Sequence, residues 1–147
     1  MTRGFTTRGF MARGFMAHGF MAHGPLPRGV RKAVECLEAE PGRSWRLAEL
    51  ARASGIAPRT LQKQFRRFVG RAPLAFLCEL RFARVREELV HGRDTGVTAI
   101  AMRYGFAHLG RFAVAYRRRY GESPSKTLRR PCAHEPRAGL GSAGMRA

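Results

Sequence analysis

The sequence predicts an all-α protein with two helix-turn-helix subdomains joined by a long linker helix, and with disordered N- and C-terminal tails. The main observation is a pattern that occurs twice: a helix with a small alanine, a glycine four residues later, and a second helix rich in arginine. The offset between the copies is 50 residues at Gly55 and Gly105, and 51 at Gly70 and Gly121. One extra residue in the second turn accounts for the difference.

Charge is the second observation. The chain has 147 residues, with 28 Lys and Arg against 10 Asp and Glu and a formal net charge of +18. Such an excess attracts polyanions, so a nucleic acid is the leading partner and an anionic membrane surface the weaker one. No run approaches 18 apolar residues, which argues against a membrane span. Cys36, Cys78 and Cys132 are widely spaced and form neither a disulfide framework nor a metal-ligand motif, which favours a reducing, cytosolic compartment.

Residues 1–27 form a different kind of sequence, in which a five-residue unit containing Gly recurs. A period of five suits neither a helix nor a strand, so this segment is predicted to be disordered and is not a secretory signal. Its arginines and phenylalanines could bind nucleic acid loosely, and His18 with His23 could touch a metal. The simpler interpretation is a translated DNA repeat, with translation starting at Met1, Met16 or Met21.

The first module follows from apolar spacing and stop signals. One apolar stripe predicts helix one over residues 30–39, ended by the Pro-Gly pair at 41–42. Ser44 is predicted to cap the second helix, which ends at Gly55. The third helix is predicted over residues 58–69, with a proline at its first position.

The third helix divides into two faces. The spacing of Leu61, Phe65 and Phe68 predicts an inward side, and the outward side then carries Arg59, Gln62, Lys63 and Arg66. A basic stripe on a surface helix is usually only solvated. Here it lies on the second helix of a helix-turn-helix, where Arg and Lys can address guanine O6 and N7 and Gln can pair with adenine, so DNA binding is expected.

The linker helix is predicted over residues 73–90, long enough to separate two small modules. Its inward candidates are Phe76 or Leu77, Leu80, Phe82, Val85 and Leu89. The second module is predicted to contain helices over residues 97–104 and 108–120.

The last of these helices places three aromatic residues inside, Phe112, Tyr116 and Tyr120, at spacings of four. Its outward residues are Arg111, Arg117, Arg118 and Arg119. Ser123 is predicted to cap a short final helix that begins at Pro124 and ends near residue 130. Residues 131–147 lack an apolar pattern and are predicted to be a frayed tail.

These residues resemble the AraC/XylS family of bacterial transcription regulators over roughly residues 30–130. The more specific half of the resemblance reads Ile-Ala-x-x-x-Gly-Phe from Ile100 and Phe-x-x-x-Tyr-Arg-Arg-x-Tyr-Gly-x-x-Pro from Phe112. The resemblance implies a double helix-turn-helix DNA-binding domain over residues 28–130, with its two recognition helices in successive major grooves of bent double-stranded promoter DNA. It also implies a location at the bacterial nucleoid in the cytoplasm, with RNA polymerase as a further candidate partner.

The resemblance also assigns residues. Base-reading positions of the first recognition helix fall on Arg59, Gln62 and Lys63, and those of the second fall on Leu109, Gly110, Arg111, Ala113 and Val114. Only Arg111 in the second set donates strongly, so that helix is expected to act mainly as an anchor, with some contact to thymine methyl groups. The predicted phosphate contacts are Arg66, Arg67, Arg117 and Arg118.

Other classes of function are less well supported. A 27-residue tail is too short to form an effector-binding domain, so the chain is either a stand-alone regulator or a truncated remnant, without a small-molecule site. The carboxylates are spread along helix faces and Cys78 and His91 share no motif, so no enzyme, metal or cofactor is predicted. A general nucleic-acid binder without strong sequence preference stays open as the alternative.

Overall fold

A computed structural model describes residues 25–91 and 95–130, and the regular structure within these ranges is entirely helical. Seven helices follow one another there: α1 (Arg28–Ala39), α2 (Leu47–Ser54), α3 (Pro58–Val69), α4 (Pro73–His91), α5 (Val97–Arg103), α6 (Leu109–Tyr120) and α7 (Pro124–Arg129). The all-α prediction is confirmed, and the predicted and observed bounds of the helices agree to within two residues at most ends.

The chain divides into two compact units between Ala83 and Arg84, inside the continuous helix α4. In the first unit, α1, α2, α3 and the first half of α4 surround one apolar core that contains Val30, Leu37, Leu50, Leu61, Phe65 and Leu80. In the second unit, the second half of α4 and helices α5, α6 and α7 bury another set: Val85, Leu89, Ile100, Ala101, Phe112, Tyr116 and Thr127. The predicted inward residues of α4 are all buried.

The first helix-turn-helix turn is closed by two backbone hydrogen bonds. The Gly55 N–H donates to the Arg52 carbonyl at 3.2 Å, and the Ile56 N–H donates to the Ala51 carbonyl at 3.2 Å. This is the pattern of a Schellman motif, which requires a left-handed residue after the helix. Gly55 supplies it with φ of 72°.

The second turn repeats this geometry. The Gly105 N–H donates to the Met102 carbonyl and the Phe106 N–H to the Ala101 carbonyl, both at 3.0 Å. Gly105 has φ of 84°. The extra residue expected from the change of offset lies after the glycine, because α6 begins one position later relative to Gly105 than α3 does relative to Gly55.

The N-cap residue was predicted correctly for α7 but not for α2. Ser123 caps α7 as predicted, accepting a hydrogen bond from the Lys126 N–H at 3.2 Å. The prediction that Ser44 caps α2 is wrong, because α2 begins three residues later and its N-cap is Arg46. The Glu49 carboxylate accepts from the Arg46 N–H at 3.1 Å and so satisfies a backbone donor at this helix start.

Two expected core residues are only half-buried. In α3 the third inward position is Val69 rather than Phe68, whose ring lies 5.6 Å from the Arg67 guanidinium. In α6 Tyr120 is half-buried, with the Arg86 guanidinium 4.4 Å above its ring. Both rings lie at the edge of the core, where an aromatic surface can pack on one side and meet a cation on the other.

One long-range contact in the first unit joins α4 to the loop after α1. The Arg81 guanidinium donates to the carbonyls of Pro41 and Arg43, at 2.7 Å each. Burial lowers the pKa of Arg81 from its ordinary value. The contact satisfies two carbonyls of a segment that has no helical partners of its own.

The predicted tails fall almost wholly on residues 1–24 and 131–147, which lie outside the described residues, and the domain limits 28–130 remain a prediction. Within residues 25–91 and 95–130, no helix is long and apolar enough to cross a membrane.

Candidate nucleic-acid interface

The outward face of α3 is formed by polar and basic side chains that the fold leaves exposed. Its apolar side is buried through Leu61, Phe65 and Val69. The predicted readers and phosphate contacts all lie on the exposed side: Arg59, Gln62, Lys63, Arg66 and Arg67. Residues spaced by three and four share a face of a helix, so Arg59, Gln62 and Arg66 lie in one row and Lys63 beside it.

Ion pairing occupies several other cations of the chain but not the predicted readers of α3. Arg43 pairs with Glu40 and Arg71 with Glu79, both at 3.0 Å. Among the described residues, the side chains of Arg59, Gln62 and Lys63 have no such partner, and the sequence of α3 contains no Asp or Glu. Their donors are therefore available to an outside ligand that carries acceptors.

Helix α6 presents a different outward face. Arg111, Arg117 and Arg118 are exposed, as are Gly110 and Val114. The remaining predicted readers of this helix are half-buried, namely Leu109 and Ala113. The α3 set lies in the first unit and the α6 set in the second.

An aromatic cluster fixes the inward side of α6. The ring of Phe112 lies 4.7 Å from that of Phe106, at the end of the turn, and 5.7 Å from that of Tyr116. Tyr116 in turn lies 4.7 Å from Tyr120. Tilted pairs at these distances add to the free energy gained by burial, so the face of α6 that points outward is set by this cluster.

A buried hydrogen-bonded chain joins α6 to α7, and the sequence analysis missed it. The Tyr116 hydroxyl donates to Thr127 Oγ1 at 3.0 Å, and the Thr127 hydroxyl donates to Glu122 Oε1 at 2.9 Å. The other carboxylate oxygen of Glu122 lies 3.5 Å from Arg130. The sequence offered no clear signal for it, because the helix has only six residues and threonine is mostly exposed in proteins.

Burial affects the ionisation of two tyrosines in the second unit. Burial raises the pKa of Tyr116 above its usual range, against a smaller lowering effect of the hydrogen bond with Thr127. The phenol of Tyr104 is also raised in pKa, first by burial and then by its hydrogen bond with Glu88. Glu88 also forms an ion pair with Arg103. Both tyrosines are therefore protonated at neutral pH.

Within the described residues, no group of three or more His, Cys, Asp or Glu side chains could hold a metal ion. Cys36 is half-buried and Cys78 exposed, and both are free thiols. What the two outward faces can do is bind a polyanion through arginine, lysine and glutamine donors.

Comparison with known proteins places this arrangement in a family. A family model described as a helix-turn-helix domain matches residues 50–130. A solved structure of "a probable AraC family transcriptional regulator" from Rhodopseudomonas palustris is 37% identical, with a TM-score of 0.64, and the match covers 71% of this chain and 97% of that one.

Two curated relatives agree. The "Probable thc operon regulatory protein" of Rhodococcus erythropolis is 41% identical over 106 residues, which are 71% of this chain and 32% of the relative. The "XylDLEGF operon transcriptional activator 2" of Pseudomonas putida is 35% identical over 99 residues, or 66% of this chain and 63% of the relative. This chain thus matches about a third of the length of one and just under two thirds of the other. The chain belongs to the AraC/XylS family of helix-turn-helix transcription regulators.

Proposed function

We propose that this chain is a sequence-specific DNA-binding transcription regulator whose helices α3 and α6 enter successive major grooves of promoter DNA. The observation that carries the proposal is the exposed, unpaired donor set of Arg59, Gln62 and Lys63 on the second helix of a helix-turn-helix. A helix in this position lies in the major groove in other proteins with this motif, where base edges offer a distinct set of acceptors for each base pair.

The two helices take unequal roles in this proposal. Helix α3 reads bases through its three donors, and α6 contributes Arg111 as its one strong donor. Arg66 and Arg67 on α3 and the matching arginines on α6, Arg117 and Arg118, contact phosphates. Phosphate contacts supply affinity without sequence information, so the α6 unit acts mainly as an anchor.

The proposal extends to partners and location. Double-stranded DNA is the primary partner, RNA polymerase is a second one, and the protein acts at the bacterial nucleoid in the cytoplasm. No metal, cofactor, catalytic step or small-molecule effector is assigned to these residues. Basic charge supports the DNA partner because neither α3 nor α6 contains an acidic residue.

The test is selection from a random-sequence duplex library, followed by binding of the enriched duplex and of a shuffled duplex between about 50 and 200 mM salt. A regulator holds a preference of about 10³-fold or more for the enriched duplex at physiological salt. A general polyanion binder gives equal affinities and one steep salt dependence for both duplexes, and that result would refute the proposal.

Two variants separate the proposed roles. Gln62→Ala should change the preferred base at one position, at a cost of about 1–3 kcal/mol in binding free energy. Arg117→Ala should weaken binding to both duplexes alike and reduce the slope of log affinity against log salt by about 1. An unchanged base preference in Gln62→Ala would contradict its assignment as a reader.

A further inference from the structure

The two recognition helices share an arginine pair but differ at the positions proposed to read bases. Aligned on the glycines that end them, α3 and α6 are offset by 51 residues, which matches Arg66 with Arg117 and Arg67 with Arg118. All four arginines are exposed. The same alignment matches the three polar readers of α3 with small apolar residues of α6: Arg59 with Gly110, Gln62 with Ala113, and Lys63 with Val114.

We propose that α6, besides its phosphate contacts and Arg111, reads part of its half-site through the 5-methyl groups of pyrimidines, so that 5-methylcytosine can replace thymine at those positions. This inference rests on the proposed DNA-binding function. The occupant of the apolar surface is DNA rather than another protein because the surface is bordered by Arg111, Arg117 and Arg118 and the helix carries no acidic residue. In the major groove, a pyrimidine 5-methyl group is the feature that an apolar side chain can contact.

Val114 is the main contact. It is 61% exposed, although it is a β-branched apolar residue in the middle of a helix, whereas Leu109 and Ala113 are half-buried. The described part of the second unit therefore leaves most of Val114 exposed. A methyl group in the groove would remove this apolar surface from water.

Gly110 allows the backbone of α6 to lie close to the DNA, which a short side chain such as Val114 needs in order to reach a base. The branch of Val114 ends one bond beyond Cβ, so it reaches a base only if the backbone of α6 comes closer than it would for Arg or Lys. Gly110 lies four residues before Val114, on the same face of the helix. A Cβ added at Gly110 would meet nothing within 4 Å, so packing within the protein does not require the glycine. Glycine also allows the backbone of α6 to approach a ligand closely at this position, near the start of the helix.

The first test uses the full chain and three random duplex libraries: one with thymine, one with deoxyuridine in its place, and one with deoxyuridine together with 5-methyldeoxycytidine. Deoxyuridine keeps the hydrogen-bonding groups of thymine and lacks only the methyl group. At the positions of the α6 half-site that Val114 contacts, we expect selection of thymine in the first library, of no base in the second, and of 5-methylcytosine in the third. The α3 half should stay the same in all three.

Binding to the enriched duplex then gives the magnitude. Each thymine of the α6 half-site replaced by deoxyuridine should raise Kd about fourfold, the equivalent of one buried methyl group. Val114→Ala should bind the thymine duplex more weakly and lose the difference between thymine and deoxyuridine. Gln62→Ala, the matched variant on α3, should keep that difference.

Gly110→Ala separates folding from recognition, because it should raise the melting temperature of the protein and yet weaken binding to the thymine duplex. The proposal is overturned if deoxyuridine changes Kd by less than about twofold at every α6 position, or if Val114→Ala keeps the full difference between the two bases. Enrichment of a sequence without methyl dependence overturns only this inference. If no library yields an enriched sequence, the proposed function itself fails.

Discussion

Replacing Thr127 with valine tests the buried chain that ties α6 to α7. Valine has nearly the shape of threonine, so the change removes the hydroxyl and little else. The Tyr116 hydroxyl loses its acceptor at 3.0 Å, and Glu122 loses a donor at 2.9 Å. A neutral hydrogen bond contributes about 1 kcal/mol and one to a charged group about 1.5–3 kcal/mol. Because valine also gains from burial, we expect a net loss of about 2–3 kcal/mol in the free energy of unfolding of the second unit.

The positions of the aromatic residues allow the loss of stability to be assigned to one of the two units. The chain has one tryptophan, Trp45 in the first unit, and its three tyrosines lie in the second: Tyr104, Tyr116 and Tyr120. Urea unfolding followed by tyrosine near-ultraviolet circular dichroism should show a midpoint lower by about 1–2 M, since urea slopes for small proteins are about 1–3 kcal/mol/M. The tryptophan fluorescence transition should shift less.

The control is Thr98→Val, the same chemical change at an exposed position of α5. It should alter the free energy of unfolding by no more than about 0.5 kcal/mol. Equal midpoints for Thr127→Val and Thr98→Val would show that the buried hydroxyl chain contributes nothing to the stability of this unit, and the reasoning would be refuted.

Three further outcomes are expected. Gly105→Ala should cost about 1–2 kcal/mol in thermal unfolding because φ is 84° there. Gly110→Ala, in the first turn of α6 with open space around it, should stabilise the protein by no more than about 0.5 kcal/mol. Arg81→Met should lower the free energy of unfolding in urea by about 1–3 kcal/mol, because two hydrogen bonds to loop carbonyls are lost. Arg52→Met, at an exposed position, should lower it little, and equal losses for the two variants would contradict this reasoning. The pKa of Tyr116 is raised in the folded protein, so its contribution to stability is complete below the unfolded-state pKa of about 10. That contribution is lost as pH rises through the folded-state pKa. A spectrophotometric titration in which all tyrosines ionise together near pH 10 would disagree.

Short-range signals predicted most of the fold. Apolar residues at spacings of three and four, prolines at the first helical position and glycines after the last one depend only on neighbours along the chain. They located α3 at its observed bounds, Pro58–Val69, and placed Gly55 and Gly105 at the two turns. They also separated the exposed readers of α3 from its buried side, because one face of a short helix must cover the core.

Two predictions failed, each for its own physical reason. Ser44 has the right chemistry for a cap, but α2 starts at Leu47, where the Glu49 carboxylate serves the N-cap Arg46. Phe68 has the right spacing for the core, but Val69 takes the buried position and the larger ring stays at the edge. Phe68 and Val69 both suit the apolar spacing of α3, and packing against the other helices chose between them. The start of α2 instead depends on a side chain inside the helix, which the pattern of capping residues before a helix does not include.

The sequence by itself determined the all-α class, the duplicated turn and the unequal outward faces of α3 and α6, because each depends on the order of residue types along one helix. Only the tertiary structure decided which side chains meet across long stretches of chain. Arg81 reaches carbonyls near residue 42, and Tyr116 finds Thr127 and Glu122 beyond a turn. Such contacts satisfy buried polar groups, and their partners are set by how helices pack, which no local periodicity encodes.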